Sequence, residues 1–472
     1  MKKKNAYLVG IKGVAMTSLA VYLKEKGYEV TGSDVEDIFP TDKILQANKI
    51  NIIKGFSEKN IDEKFDLAVV TGAHGGMTNI EAQKAKKLGI PTYMHGEFLG
   101  KLMEGKFGIS IAGCHGKTTT SSLIAFLLQK GGFKQSYAIG TAEINGLGPA
   151  GHFGNGEIFV AEADEYMTCP SSDPTPRFMW QSPKILVLTN IEYDHPDAYA
   201  NIEEVKDAYR HFIDKLESDV VIVACIDNEN VTSVLTGTNK QVITYGFSPA
   251  ADFSISHFYF NEGISFMQVM HKNINLGEYM LQISGKHNLA NSLAGIIVAE
   301  HIGMSHENIR KALKLFTGCK RRFEKISQIG GVTLYDDYAH HPSEISATLY
   351  GAREWFKYRR IIAIFQPHTF SRTKALLADF ARAFIQADLA MIVDIYPSAR
   401  EQPDDTINSN MLVMEANKYK KNAYYLKNKK ETLSFLDKNI KDGDLIITMG
   451  AGDIYLWHDD IKKLLRSKYT RL

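Results

Sequence analysis

"SIAGCHGKTTTSSLIAFLL", residues 110–128, carries an apolar run into a group of small and polar residues centred on Gly116-Lys117-Thr118, and a second, helix-like apolar run follows. Strand, glycine-bearing loop and helix in that order form a cradle for phosphate, because the loop N–H groups and the helix N-terminus attract phosphate oxygens. The candidate nucleotide-binding residues are Gly113, Cys114, His115, Gly116, Lys117, Thr118 and Thr119. Lys117 has the reach for the β- and γ-phosphates of ATP, and the Thr118 hydroxyl suits a Mg²⁺ shell. The strict phosphate-loop pattern asks for glycine five residues before Gly116, where Ile111 stands. A glycine-rich turn with a helix-capping threonine therefore stays open beside the nucleotide reading.

On either side of this stretch, short apolar runs alternate with longer amphipathic ones. Residues 6–10, 28–34, 67–73 and 90–94 read as strands, with helices at 16–27 and 80–89 between them. This alternation predicts a parallel α/β sheet. A second unit starts at 106–113 and adds strand-like runs at 158–165, 184–195 and 219–225, a polar β-like stretch over 243–283 and a helix over 286–303. A third follows residues 316–324, with runs at 331–342, 359–368, 389–397 and 444–453. The expected domains are 1–104, 105–317 and 318–472. A length of 472 residues suits about three domains.

A net charge of +1 gives no bulk attraction to nucleic acid or to an anionic membrane. The four cysteines, Cys114, Cys169, Cys225 and Cys319, are widely spaced, which predicts neither a disulfide framework nor a zinc site. The basic start lacks the apolar run and cleavage pattern of a signal peptide, and no apolar run approaches the roughly 18 residues of a membrane span. A cytoplasmic protein of small-molecule substrates is expected, as monomer or homodimer.

Strand-like runs repeatedly end in polar or ionisable residues: Ser33-Asp34, Gly116-Lys117, Glu162, Asp194-His195, His340, His368 and Asp453. Open α/β sheets bind ligands at the carboxyl ends of their strands, so the chemistry is expected on those rims. At the N-terminus, Gly10, Lys12, Gly13, Val14, Ala15 and Met16 lead into a helix, and Ser33 and Asp34 end the next strand. That is the layout of a dinucleotide site, with an acid roughly 20 residues downstream.

Several motifs together resemble the Mur ligases, which build the peptidoglycan stem peptide. They are GCHGKTTT (113–120), VAEADE (160–165), TNIEYDHPDAY (189–199), GKHNLANSLA (285–294), KRRFE (320–324), DDYAHHPSEI (336–345), FQPHTFSRT (365–373) and TMGAGDI (448–454). The likeness spans essentially the whole chain. It is strongest to the branch that joins L-alanine to UDP-N-acetylmuramate, on YDDYAHHP, FQPHTFSRT and VDIYPSARE (393–401). It implies a Rossmann-like N-terminal domain for the UDP-sugar, a phosphate-loop central ATPase domain and a Rossmann-like C-terminal domain for the amino acid. It also implies activation of a carboxylate by ATP to an acyl phosphate, which the amine then attacks.

For that chemistry the expected metal ligands are Thr118 and Glu162, with His195 near a second Mg²⁺, since magnesium takes oxygen ligands. His195 taken alone also reads as a structural histidine. Asn288 and Asn291 share a helical face and suit an adenine edge, with helix capping by Asn288 as the alternative. Arg322 is expected on the nucleotide phosphates, although Lys320, Arg321 and Arg322 also read as a solvated charge run. Tyr338, His340, His341, His368 and Arg372 are expected to face the substrate, an imidazole either taking the amine proton or stabilising phosphate. The glycine loop at 10–16, with Ser33 and Asp34, is expected to hold the UDP diphosphate.

The stretch EADEYMTCPSSDPTPRFMW (162–180) departs from the alanine-adding pattern, which continues with Ser-Asp after EADE. EADEY is closer to the murein peptide ligases, which take a preformed tripeptide, and glycine or serine are further candidate acceptors. Outside the ligases stand a nicotinamide-dependent oxidoreductase built on the first domain and a nucleotide-binding switch without ligase activity.

Overall fold

The computed structural model describes residues 3–261, 263–397, 401–402 and 404–469; residues 398–400 of the VDIYPSARE stretch lie outside the described residues. The first sheet has the strand order Asn51–Lys54, Glu29–Asp34, Asn5–Val9, Leu67–Val70, Thr92–Met94, all parallel. Leu67–Val70 is buried throughout and Asn5–Val9 in all but its first residue, as expected of parallel strands covered on both faces. Chain direction across the sheet reverses between these two strands, and the crevice at that point is where such sheets take ligands. The helix Val14–Glu25 starts there, two residues earlier than its apolar pattern announced.

The second sheet has ten strands. Its parallel body runs Gln241–Gly246, Val221–Cys225, Ile185–Leu188, Phe107–Ala112, Ile158–Ala163, Ser136–Ile144. Gly148–His152 adds antiparallel at one edge, and Phe253–Asn261, Ile264–His271 and Ile274–Leu281 extend the other, accounting for the polar β-like stretch. Phe107–Ala112 is an inner strand, paired with Ile185–Leu188 on one side and Ile158–Ala163 on the other. The loops after all three strands therefore leave the same carboxyl rim.

The helix Val14–Glu25 is buried from Met16 to Leu23, eight consecutive residues. Such continuous burial means that both its faces are covered. One face packs on its own sheet and the other on Ser136–Ile144 and Gly148–His152. Ser18 Oγ donates to the Ile139 carbonyl at 2.7 Å, and a side chain at Gly151 would collide with the Ser18 carbonyl. Tyr22 meets Phe153 and Phe159 edge-on, at 5.6 and 5.8 Å between centroids.

The third sheet pairs Glu324–Ile329 antiparallel with Val332–Asp337, then continues in parallel through Leu445–Met449, Ile361–Phe365, Leu389–Ile392 and Ala423–Tyr425. Two compact units result. One comprises residues up to Phe258 with Met267–Leu281 and Leu289–Cys319; the other comprises Tyr259–Phe266, Gln282–Asn288 and the chain from Lys320.

Candidate active site

The phosphate loop occupies residues 113–116, between Phe107–Ala112 and the helix Lys117–Lys130. Gly113 has φ +136°, and a Cβ there would collide with Thr189 Oγ1 and lie 2.9 Å from the Asn190 carbonyl oxygen. Gly116 caps the helix at φ +83°, and a Cβ there would lie 2.6 Å from Asn291 Oδ1. Only glycine meets both demands at low cost. Thr189 and Asn190, at the end of the neighbouring strand, clamp the loop. His115 N–H donates to Asn190 Oδ1 (2.9 Å), Cys114 N–H to the Asn190 carbonyl (3.1 Å), and Asn190 Nδ2 and Thr189 Oγ1 donate to the His115 carbonyl (2.9 and 2.6 Å). These anchors lay inside the TNIEYDH motif, but only the shared rim reveals their role. Asn291, buried in the helix Lys286–His301, is brought to the loop; Asn288 donates to the Ser284 carbonyl in the turn ahead of that helix, at 2.7 Å.

Lys117 is nearly buried. Its ammonium donates to Glu165 Oε2 at 2.8 Å and to the Gly113 carbonyl at 2.5 Å, and stands 3.8 Å from Asp164 Oδ1. Burial alone would lower its pKa, but the Glu165 and Asp164 charges outweigh burial and hold it well above the ordinary lysine value. For Asp164, burial is opposed by Arg177, Lys117 and His195, and the carboxyl is held below its usual range.

The strand Ile158–Ala163 ends before these two carboxylates. Glu162, still on the strand, accepts a hydrogen bond from Gly140 N–H at 2.9 Å. Asp164 and Glu165 turn towards His195, whose Nε2 lies 3.9 Å from Glu165 Oε1. Ligand atoms of Asp164, Glu165 and His195 all lie within 4.8 Å of one another. Glu165 Oε1 is buried and accepts no hydrogen bond among the described residues. A buried, unpaired carboxylate oxygen in an oxygen-rich trio fits a divalent cation such as Mg²⁺. His195 adopts φ +59°, an uncommon conformation for a non-glycine residue, with its ring 4.5 Å from that of Tyr166. Tyr166 OH is itself fixed on Asp197 Oδ2 at 2.6 Å.

In the N-terminal glycine loop, Lys12 N–H donates to Asp34 Oδ2 at 2.7 Å, so Asp34 ties the loop to the second strand. The Lys12 ammonium turns away to the carbonyls of Val35 (2.9 Å) and Asp37 (2.8 Å). Gly13 is the N-cap of the helix that carries Val14, Ala15 and Met16, and Gly10 N–H donates to the Ser33 carbonyl at 2.8 Å. Ser33 Oγ donates to Glu81, a fully buried carboxylate that also accepts from Tyr7 OH (3.1 Å) and Asn60 Nδ2 (2.7 Å). Glu81 sits in the lysine-rich helix Ile80–Lys87, and nothing in that composition signals its burial.

In the second unit, His340, Tyr338, Arg322, His368 and Arg372 form a connected group. His340 Nδ1 lies 3.1 Å from the Tyr338 carbonyl and 3.2 Å from Glu344 Oε2, and the Arg322 guanidinium lies 3.6 Å from Glu344 Oε1. His368 is 6.0 Å from His340 between centroids, and its Nδ1 is 3.4 Å from Arg372 Nη1. His341 caps the helix Pro342–Trp355, its Nδ1 accepting from Ser343 N–H at 3.3 Å. Glu344 was not singled out in the sequence, although its place at the third helical position of a capping box marks it.

Asp337 joins the segment before the sheet to the sheet itself, accepting from Phe323 N–H (2.9 Å), Ala339 N–H (2.8 Å) and Thr348 Oγ1 (3.3 Å). Burial raises its carboxyl to about 6, Arg322 opposing and Glu344 and Asp336 assisting. A carboxyl that holds its proton more tightly folded than unfolded stabilises the fold most below about pH 4, and that contribution is lost as pH rises to about 6. Stability should fall by about 3 kcal/mol on this account across the window. Urea unfolding between pH 4 and 7 should show that decline, and Asp337→Asn should flatten it; an unchanged slope would contradict the assignment.

Three family models match the chain in order. They are described as Mur ligase family, catalytic domain (residues 5–107), Mur ligase middle domain (111–299) and Mur ligase, glutamate ligase domain (321–452). A UDP-N-acetylmuramate–L-alanine ligase of Carboxydothermus hydrogenoformans is 40% identical over 448 residues, covering 95% of this chain and 94% of the relative. One of Caldanaerobacter subterraneus subsp. tengcongensis is 40% identical over 96% of each. Among solved structures, a UDP-N-acetylmuramate–alanine ligase of Thermotoga maritima shares the fold at TM-score 0.80 and 24% identity, covering 98% of this chain and 99% of that one. A murein peptide ligase of Psychrobacter arcticus shares it at TM-score 0.72 and 24% identity, covering 98% of each.

Proposed function

This chain belongs to the Mur ligase family, and from that premise we propose that it joins L-alanine to the carboxylate of UDP-N-acetylmuramate, with ATP consumed and ADP formed, in peptidoglycan-precursor synthesis. The observation that carries the reading is near-full-length 40% identity to alanine-adding ligases. The lysine-bearing phosphate loop beside an acidic trio agrees with it.

Residues 1–104 hold the UDP-sugar, 105–317 ATP and 318–472 the amino acid. The loop N–H groups of 113–118 and the Lys117 ammonium neutralise the phosphates of ATP, so that a second anion, the substrate carboxylate, can approach the γ-phosphorus. The carboxylate oxygen bonds to that phosphorus as the bond to the ADP oxygen breaks. The amine of the amino acid then attacks the acyl carbon, inorganic phosphate leaves and the amine loses a proton.

Asp164, Glu165 and His195 would hold one Mg²⁺, and Thr118 with Glu162 a second, nearer the phosphates. Bound magnesium supplies charge neutralisation on phosphoryl oxygens. The Tyr338 carbonyl beside His340 Nδ1 favours a proton on that nitrogen and leaves Nε2 as the acceptor for the amine proton. His368 Nδ1 faces the Arg372 guanidinium, which favours the opposite tautomer and makes His368 Nε2 a donor. Arg322 and Tyr338 line the same group, and the Asn291 amide beside Gly116 supports a role for it at the nucleotide. No helix among the described residues is long and apolar enough to cross a membrane, and we read the setting as cytoplasmic.

Phosphate release should be measured with ATP, UDP-N-acetylmuramate and, in turn, L-alanine, glycine, L-serine and the stem tripeptide. L-alanine should exceed glycine by about tenfold or more in kcat/KM, the value of one methyl group. Turnover with the tripeptide alone would overturn the assignment in favour of peptide recycling.

A further inference from the structure

The stretch 162–180, which departs from the alanine-adding pattern, folds into a small device. Met167–Cys169 pairs antiparallel with Asp173–Pro176, and a 3₁₀ turn, Arg177–Trp180, follows. The device is seated against the first sheet's rim. A side chain at Gly76 would strike Cys169, one at Gly100 would strike the Trp180 carbonyl, and one at Gly96 would press on Arg177 at 3.3 Å. Trp180 Nε1 donates to Thr168 Oγ1 at 2.9 Å, locking turn to hairpin.

This seating delivers Arg177 to the gap between the two ligand rims. Nη1 donates to Asp164 Oδ2 at 2.7 Å, and the guanidinium lies 5.4 Å over the Tyr166 ring. Asp164 also faces Lys117 across 3.8 Å, so one carboxylate bridges two cations. Nη2 points to the other rim, 3.4 Å from where a Cβ of Gly72 would lie. Nε and Nη2 donate to no atom among the described residues, although the side chain is only 22% exposed. A half-buried guanidinium with a fork of donors unspent is built for a planar carboxylate. Two anions must meet here, and two cationic side chains flank Asp164: with Lys117 on the phosphate, Arg177 is placed for the other.

We propose that Arg177 binds the carboxylate of the UDP-sugar and sets the preference for a carboxylated sugar nucleotide. This rests on the function proposed above. Calorimetry with the full chain tests it, comparing UDP-N-acetylmuramate with UDP-N-acetylglucosamine, which lacks the lactyl carboxylate. Arg177→Ala should weaken the first by about tenfold or more, the loss of charged hydrogen bonds, and leave the second within about twofold. Arg177→Lys should fall between, and it carries the test should the alanine variant not fold. Equal weakening of both ligands, or of neither, overturns the proposal. Wild-type protein without alanine-dependent turnover would instead overturn the function; wild-type turnover with unchanged discrimination in Arg177→Ala overturns only this assignment.

Discussion

Lys117→Ala lowers kcat by about 10²- to 10³-fold, the usual cost of removing a preorganised charge from a developing anion. The structure adds a second expected result that the motif alone did not suggest. Glu165 is 1% exposed and its side chain rests on Lys117 at 2.8 Å. Losing the ammonium strands a buried carboxylate, and breaking one side of such a pair costs about 3 kcal/mol or more. The variant should therefore melt earlier as well as turn over slowly, where the loop read by itself leaves the fold untouched. Lys117→Ala combined with Glu165→Gln should recover most of the stability and none of the activity. Thermal melting and phosphate release on both variants separate the effects. Near-wild-type turnover in the single variant would refute the role of the loop.

Gly113→Ala should be nearly as damaging. At φ +136° the backbone is in a region that alanine avoids, and the new methyl would be driven into Thr189 Oγ1 and the Asn190 backbone. These are the residues that fix the loop, so relief of the clash must move the cradle. A stability loss of about 2–4 kcal/mol, with ATP binding weakened at least about 100-fold, is expected. Calorimetric titration with a non-hydrolysable ATP analogue and a urea melt check it. ATP affinity within a few-fold of wild type would show that the tight glycine does not set the loop geometry.

The loop was legible because its signals are local. The apolar run 107–112, the glycines at 113 and 116 and the apolar helix that follows specify strand, turn and helix within one window. Four of the five strands of the N-terminal sheet were legible for the same reason, whereas the helix Asp42–Ala47 and the edge strand Asn51–Lys54 are too short for periodicity to show. The acidic run at 162–165 was only half legible. Strand alternation predicts opposite faces for successive side chains, but the strand stops at Ala163, and past that point the turn, not the pleat, aims Asp164 and Glu165 at His195.

The buried setting of Glu81 and the placing of Arg177 were not legible at all. Glu81 is buried by Tyr7, Ser33 and Asn60, which are 74, 48 and 21 residues away. Arg177 lies in a segment without periodicity, and its meaning comes from Asp164 and Gly72 on two different rims. Asn288 and Asn291 share a helical face by spacing, yet one is aimed at the turn before its helix and the other at the phosphate loop.

The helix Val14–Glu25, sandwiched between its own sheet and the strands of the next, has one more implication. Its N-terminus opens the crevice of the first sheet, while its flank is part of the wall of the second. The span between the two carboxyl rims is consequently set by packed side chains, so that, on the function proposed above, the entropy of aligning the two reactants is largely spent during folding. The same weld makes the leading hundred residues a poor graft: lifted from their neighbour, they would bare Tyr22, which packs on Phe153 and Phe159, to water.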